Sequence, residues 1–177
     1  FEAVDGQLIC ACGEASNANG LVVINEKTYY ASNGKLIGGW VMIDEDWYFF
    51  DKTTFAGYDG EKTTSNGITF VFDNGRVTDG VWETTDGGIR YWYGPQYYKD
   101  TTNAVNGAMP YEIDGKTYLF NRQGYMQTGV AYYWSATGTV YYDCGTDGVA
   151  KLLTGPYNDY FYIDGIQVTT YQLIEFE

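Results

Sequence analysis

Histidine is absent from this 177-residue chain, proline and cysteine occur three times each, and 10 lysines and arginines face 23 aspartates and glutamates. Each shortage closes a class of function. Without an imidazole there is no Ser-His or Cys-His catalysis and no histidine-ligated zinc. A formal net charge of −13 leaves neither the basic footprint of a nucleic-acid binder nor a polybasic face for an anionic membrane. No stretch approaches the roughly 20 apolar residues of a membrane span. The chain opens at Phe1 with no charged n-region or apolar h-region, so a mature or excised piece is expected.

Cys10, Cys12 and Cys144 are too few for a disulfide-dense scaffold and leave one thiol over in any secreted form. A bridge from Cys10 or Cys12 to Cys144 is one reading, and buried free thiols are the other. Two cysteines one residue apart, without histidine or a second pair, make a poor zinc site. No run of aspartates has EF-hand loop spacing, so neither a metal nor a cofactor is expected. Aliphatic residues are also scarce. Leu, Ile, Val and Phe together number 38 of 177, close to the compositional border of disorder. The 19 tyrosines and 5 tryptophans supply the missing apolar area, at roughly 150–250 Å² per ring.

What the chain has instead is a repeat. An apolar stretch, a polar turn, an aromatic strand and a second turn with glycine recur as VVINEKTYYASNGKL from Val22, VMIDEDWYFFD from Val41, GITFVFDNGRV from Gly67, GGIRYWYGP from Gly87, YEIDGKTYLFNRQGYM from Tyr111, GTVYYDCGTDGV from Gly138 and YNDYFYIDGIQV from Tyr157. The leading aromatics are Tyr29, Tyr48, Phe70, Tyr91, Tyr118, Tyr141 and Tyr160, at steps of 19, 22, 21, 27, 23 and 19 residues. Asn33-Gly34, Asn74-Gly75, Asp114-Gly115 and Asp164-Gly165 are hairpin-turn dipeptides whose backbone must accept positive φ. Glycine interrupts nearly every window of helical length, and the aromatic, β-branched segments alternate with period two rather than 3.6.

A lone hairpin is marginal in water, so the units must stack and share their rings. The expected fold is all-β: one elongated, solenoid-like domain over residues 1–177, built of β-hairpin repeats of roughly 20 residues. Residues 1–17 and 169–177 fit the unit poorly and are expected as caps around repeats spanning 18–168, and the one long step marks an aromatic-rich insertion at 82–109.

GWVMIDEDWYFFD at Gly39–Asp51 resembles the Gly-Trp-apolar...Trp-Tyr-aromatic-aromatic-Asp unit of the cell-wall-binding repeats, a family that includes the choline-binding and glucan-binding repeats of bacterial surface proteins. IDGKTYLFNRQGYMQTG at Ile113–Gly129 is similar to the glucan-binding form. The resemblance implies stacked β-hairpins and noncatalytic attachment to cell-wall or glucan ligands between aromatic rings, on an extracellular, surface-attached or secreted bacterial protein. It also points to Trp40 and Trp47 as ligand contacts. Complete choline cages cannot be drawn, because Thr28, Thr69 and Thr117 stand where a second tryptophan is needed, and Gly20-Leu21 and Gly129-Val130 replace Gly-Trp.

A sugar receptor needs an exposed ring for the C–H face and polar groups for the hydroxyl edge. The densest such segment holds Arg90, Tyr91, Trp92, Tyr93, Gln96, Tyr97, Tyr98, Lys99 and Asp100. In an alternating strand Tyr91 and Tyr93 share one face and Trp92 the other. If Tyr91 takes the core position, Trp92 faces outward as a platform; the other reading packs Trp92 as local core. The expected function is a noncatalytic, monomeric module that binds an α-glucan such as starch or dextran, with choline on teichoic acid as the alternative. A glycosidase, which requires two carboxylates at a set separation, is not expected.

Overall fold

The computed structural model describes residues 1–9, 13–101 and 107–168, and every regular element among them is a β-strand. Cys10, Cys12 and the expected C-terminal cap at 169–177 lie outside the described residues. The chain forms two compact units. One is Phe1–Val81 with Trp92–Gln96, the other Trp82–Tyr91 with Tyr97–Glu177.

The first unit runs through β1 (Glu2–Val4), β2 (Gln7–Ile9), β3 (Gly20–Ile24), β4 (Lys27–Ser32), β5 (Lys35–Leu36), β6 (Gly39–Ile43), β7 (Asp46–Phe50), β8 (Gly60–Thr63), β9 (Thr69–Asp73) and β10 (Arg76–Val77). Its strands make two five-stranded antiparallel sheets, ordered β1-β2-β5-β4-β3 and β6-β7-β10-β9-β8. Residues 1–9, atypical in sequence, are themselves a hairpin turning at Asp5-Gly6.

The turn dipeptides behave as their chemistry requires. Asn33-Gly34 has φ of 49° and 74°, Asn74-Gly75 of 48° and 90°, and Asp164-Gly165 of 49° and 79°. Two successive left-handed residues are the turn whose twist matches paired strands. Asn25-Glu26, Asp44-Glu45 and Asn158-Asp159 adopt it as well, without glycine.

The short third strand of a repeat is what joins it to its neighbour. After the turn at Gly34, β5 pairs both with its own β4 and with β2 of the preceding hairpin. After Gly75, β10 does the same with β9 and β7. In these two sheets one hairpin thus satisfies the edge of the other, which an isolated hairpin leaves open. The core beneath is ring-rich: Phe50, Phe70, Phe72 and Val77 are buried, with Leu8, Ile24, Ala31 and Leu36 clustered nearby.

Residues 81–97 form β11 (Val81–Thr85), β12 (Gly88–Tyr93) and β13 (Gln96–Tyr97), another hairpin with a short third strand, so the extra length of the long step falls between residues 98 and 108. The second unit continues with β14 (Met109–Ile113), β15 (Lys116–Phe120), β16 (Val130–Ser135), β17 (Gly138–Asp143), β18 (Lys151–Leu152), β19 (Gly155–Tyr157), β20 (Tyr160–Ile163) and β21 (Ile166–Val168). Leu119, Cys144, Ala108, Ala131 and Ala150 form its buried cluster.

The register corrects one alignment. Tyr160 is the leading aromatic of the last repeat, yet Gly155 pairs with Tyr162 and Tyr157 with Tyr160. In β4, β7 and β15 the leading aromatic stands two residues after the strand begins, as Tyr29 does after Lys27, Tyr48 after Asp46 and Tyr118 after Lys116. With the turn at Asn158-Asp159 that position is Tyr162, which is 2% exposed, while Tyr160 is 53% exposed.

Candidate functional site

The segment singled out by its composition turns its chemistry inward. Trp92, the candidate platform, is 8% exposed, as is Tyr91. Alternation turns one of the two adjacent rings outward only where one face of the strand meets water, and here both faces are covered, so the outward placement of Trp92 is not met. Asp100 is likewise buried.

In the first unit Tyr93 donates its hydroxyl proton to Asp46 Oδ1 at 2.7 Å, and Arg76 Nε donates to Asp46 Oδ2 at 2.8 Å. The Arg76 hydrogen bond, with Tyr93 adding to it against a desolvation cost, holds the Asp46 carboxyl below the usual carboxylate range. Trp47 packs directly over Gly94, where a Cβ would collide with the indole. Trp40 lies edge-on to Trp47 at 6.2 Å and to Phe49 at 5.3 Å, half-buried.

In the second unit the Arg90 guanidinium sits 4.5 Å from the Tyr97 ring and 4.6 Å from the Tyr125 ring, with Nη2 donating to the Tyr125 hydroxyl at 3.2 Å. Tyr98 stacks on Tyr111 at 4.3 Å with the planes 5° apart. Lys99 is exposed, and its carbonyl accepts the Tyr111 hydroxyl proton at 2.8 Å. Gln96 is exposed. Apart from the exposed Gln96 and Lys99, the cluster is a set of rings and charges covered by one another and by Tyr111 and Tyr125.

An open aromatic surface exists elsewhere in the second unit. A groove of about 340 Å³ is lined by Val130, Tyr132, Tyr141, Tyr157, Asn158, Tyr160, Tyr162 and Gln167. Two hairpins build it, and register explains why. Tyr132 and Tyr141 are cross-strand partners in β16 and β17, hence on one face. Tyr160 and Tyr162, two residues apart on β20, share one face, with Tyr157 opposite the first and Gly155 opposite the second. Tyr162 stands between Gly155 and Gln167 and, 2% exposed, is the covered floor of the groove rather than one of its open rings. Ring centroids lie 5.6 Å apart for Tyr132 and Tyr141 and 4.7 Å for Tyr141 and Tyr162.

Gly165 brings the two hairpins together. Tyr141 N donates to Gly165 O and Gly165 N donates to Leu153 O, both at 2.8 Å. A Cβ on Gly165 would stand 2.7 Å from the Tyr141 carbonyl oxygen, a distance no side chain tolerates.

All the groove's lining side chains are uncharged at neutral pH. The Tyr162 hydroxyl is pushed above the ordinary phenol value, first by burial and then by the neighbouring phenols, Tyr141 foremost. Burial also raises Tyr98, Tyr111 and Tyr142, and raises the Cys144 thiol from 9.0 to about 11. The folded chain keeps these protons after the unfolded chain has released them, so their contribution is complete at neutral pH and is lost on the alkaline side. The melting temperature should hold steady from about pH 6 to 8, no imidazole being present to titrate there, and then fall progressively above the ordinary thiol and phenol values. A thermal-shift series across that range tests this, and a step near pH 6.5 would contradict it.

Among solved structures, the chain is similar to the protein CbpJ of Streptococcus pneumoniae, at 18% identity and a TM-score of 0.37, covering 92% of this chain and 61% of that one. Choline binding protein F of the same organism matches at 22% identity and a TM-score of 0.32, over 89% of this chain and 49% of that one. A truncated alternansucrase of Leuconostoc mesenteroides matches at 21% identity and a TM-score of 0.44, over 80% of this chain and 12% of that one. The chain thus spans between half and three-fifths of the two pneumococcal proteins and an eighth of the sucrase. No protein-family model matches the chain, and no curated protein matches its sequence.

Proposed function

We propose that this chain is a noncatalytic carbohydrate-binding module of a bacterial surface or secreted protein, with an α-glucan such as starch or dextran as its ligand. The tyrosine groove carries the reading. It combines flat apolar faces with phenol hydroxyls and two amides, the pairing a pyranose requires: rings for the C–H face, donors and acceptors for the edge. A neutral sugar brings no charge, and the lining offers none. The lining also contains no carboxylate, whereas glycoside hydrolysis uses a pair.

The expected strength follows from area. Two rings each losing about 100 Å² to sugar contribute about 5 kcal/mol at roughly 25 cal/mol/Å². Hydrogen bonds add about 1 kcal/mol each, and association removes a good part of the total. The result is a dissociation constant on the order of 10–100 μM, raised in apparent affinity by a multivalent polymer.

Affinity electrophoresis against starch, dextran and a β-glucan tests the proposal. Tyr160→Ala removes the most open ring and is expected to weaken retardation by starch or dextran about tenfold while leaving the melting temperature within about 1 °C, as a surface truncation does. If neither polymer retards the wild-type chain, the glucan reading fails. Choline is the second reading, favoured by the same ring faces because they attract a cation. Retention on a choline column that Tyr160→Ala abolishes would put choline in the place of glucan.

A further inference from the structure

We infer that the first unit carries a second binding site, built for saccharides that bear an anionic group, a carboxylate or a phosphate. It shares no residue with the tyrosine groove and does not depend on the α-glucan reading. The observation is a groove of about 470 Å³ whose lining inverts the charge of the chain. Acidic residues outnumber basic ones by 23 to 10 overall, yet this groove is lined by Lys52 and Lys62 and by no acidic side chain.

Each part of the lining has a physical role. Trp40 is held by the rings of Phe49, Phe70 and Phe72 at 5.3, 5.8 and 5.6 Å, so it is a fixed apolar wall against which a sugar face can lie. Lys52 is seated by glycine. A Cβ on Gly38 would stand 2.8 Å from Lys52 Cα, and one on Gly39 3.5 Å from Lys52 Cε, so the stem of this lysine lies along bare backbone. The Lys62 ammonium is aimed by the faces of Phe49 and Tyr58, at 4.9 and 5.0 Å from their centroids. Such contacts orient a cation while leaving N–H donors for another partner.

Among the described residues, no carboxylate stands within ion-pair distance of Lys52 or Lys62. Asp51, the acid whose field Lys62 feels, is spent on its own turn: its Oδ1 accepts from the Thr53 and Thr54 amides at 2.8 Å each. On the far side Thr63, Thr64 and Ser65 contribute hydroxyls to the lining. A neutral sugar would leave both ammoniums without a counter-charge. A carboxylate or phosphate would lie between them, and in this otherwise repulsive acidic field those two cations decide which saccharides approach.

The test uses the whole chain and three matched probes, glucose, glucuronate and glucose 6-phosphate, followed by amide chemical shifts. One or both anionic probes should shift Lys62 through Ser65 and bind at least fivefold more tightly than glucose, with the advantage shrinking at about 0.5 M salt as screening sets in. Lys52→Gln with Lys62→Gln should bring the anions down to the level of glucose. Lys52→Gln alone, at an exposed position, should remove part of the advantage without altering the fold. Tyr160→Ala should leave this site intact, which separates its failure from failure of the glucan reading. Preference for glucuronate alone assigns a uronic acid, and for glucose 6-phosphate alone a phosphorylated glycan. Equal binding of glucose and both anions, or shifts confined to other lysines, would overturn the inference.

Discussion

Trp92→Ala is expected to destabilise the fold by roughly 3–5 kcal/mol, the range for truncating a buried large aromatic side chain, and to lower the urea midpoint accordingly. The indole is 8% exposed beside an equally buried Tyr91, so its removal leaves a cavity rather than a trimmed surface. For a domain of this size that loss is a large share of total stability. The companion measurement is glycan binding at a temperature where the variant is still folded, and there the affinity for starch or dextran should be unchanged. A variant of normal stability with its binding lost would restore Trp92 as a platform and remove the tyrosine groove from its role.

The second large effect is at Gly165. Alanine there meets two penalties at once: a left-handed backbone at φ 79° and a Cβ 2.7 Å from the Tyr141 carbonyl oxygen. Strained backbone of this kind costs roughly 1–3 kcal/mol, and the collision must also push the last hairpin away from β17. Tyr162 and Tyr141, 4.7 Å apart across that junction, would then lose their alignment. Gly165→Ala should therefore lower both the melting temperature and the glucan affinity, whereas Gly138→Ala, strained by its φ of 137° but with no atom within 4 Å of its added Cβ, should lower the melting temperature alone and leave affinity unchanged. Equal affinity in Gly165→Ala and wild type would show that the groove does not depend on how the two hairpins meet.

The architecture was largely legible in the chain because hairpin turns are local. Asn or Asp followed by glycine specifies a backbone conformation within four residues, and Asn33, Asn74, Asp114 and Asp164 all adopt it. Strand period and repeat length then leave few ways to bury the rings. The site was much less legible. The richest aromatic run, at Arg90–Asp100, is covered by its own rings and by later residues: Arg90 lies against Tyr97 and Tyr125, and Tyr98 on Tyr111. Composition counts rings but cannot tell a covered face from an open one. The groove at Tyr132, Tyr141, Tyr157, Tyr160 and Tyr162 is equally present in the sequence as tyrosines, but strand period cannot separate Tyr160 from Tyr162, which share a face two residues apart, and only the packing makes one 53% and the other 2% exposed.

The sequence by itself determined an all-β chain of short aromatic hairpins, acidic and without imidazole chemistry, because turn preference, strand period and charge are properties of neighbouring residues. The tertiary structure alone decided which phenols face water, since that depends on the pairing of Gly155 with Tyr162 and on how closely Gly165 lets one hairpin approach the next. Those are contacts between segments distant in the chain, and no local preference encodes them.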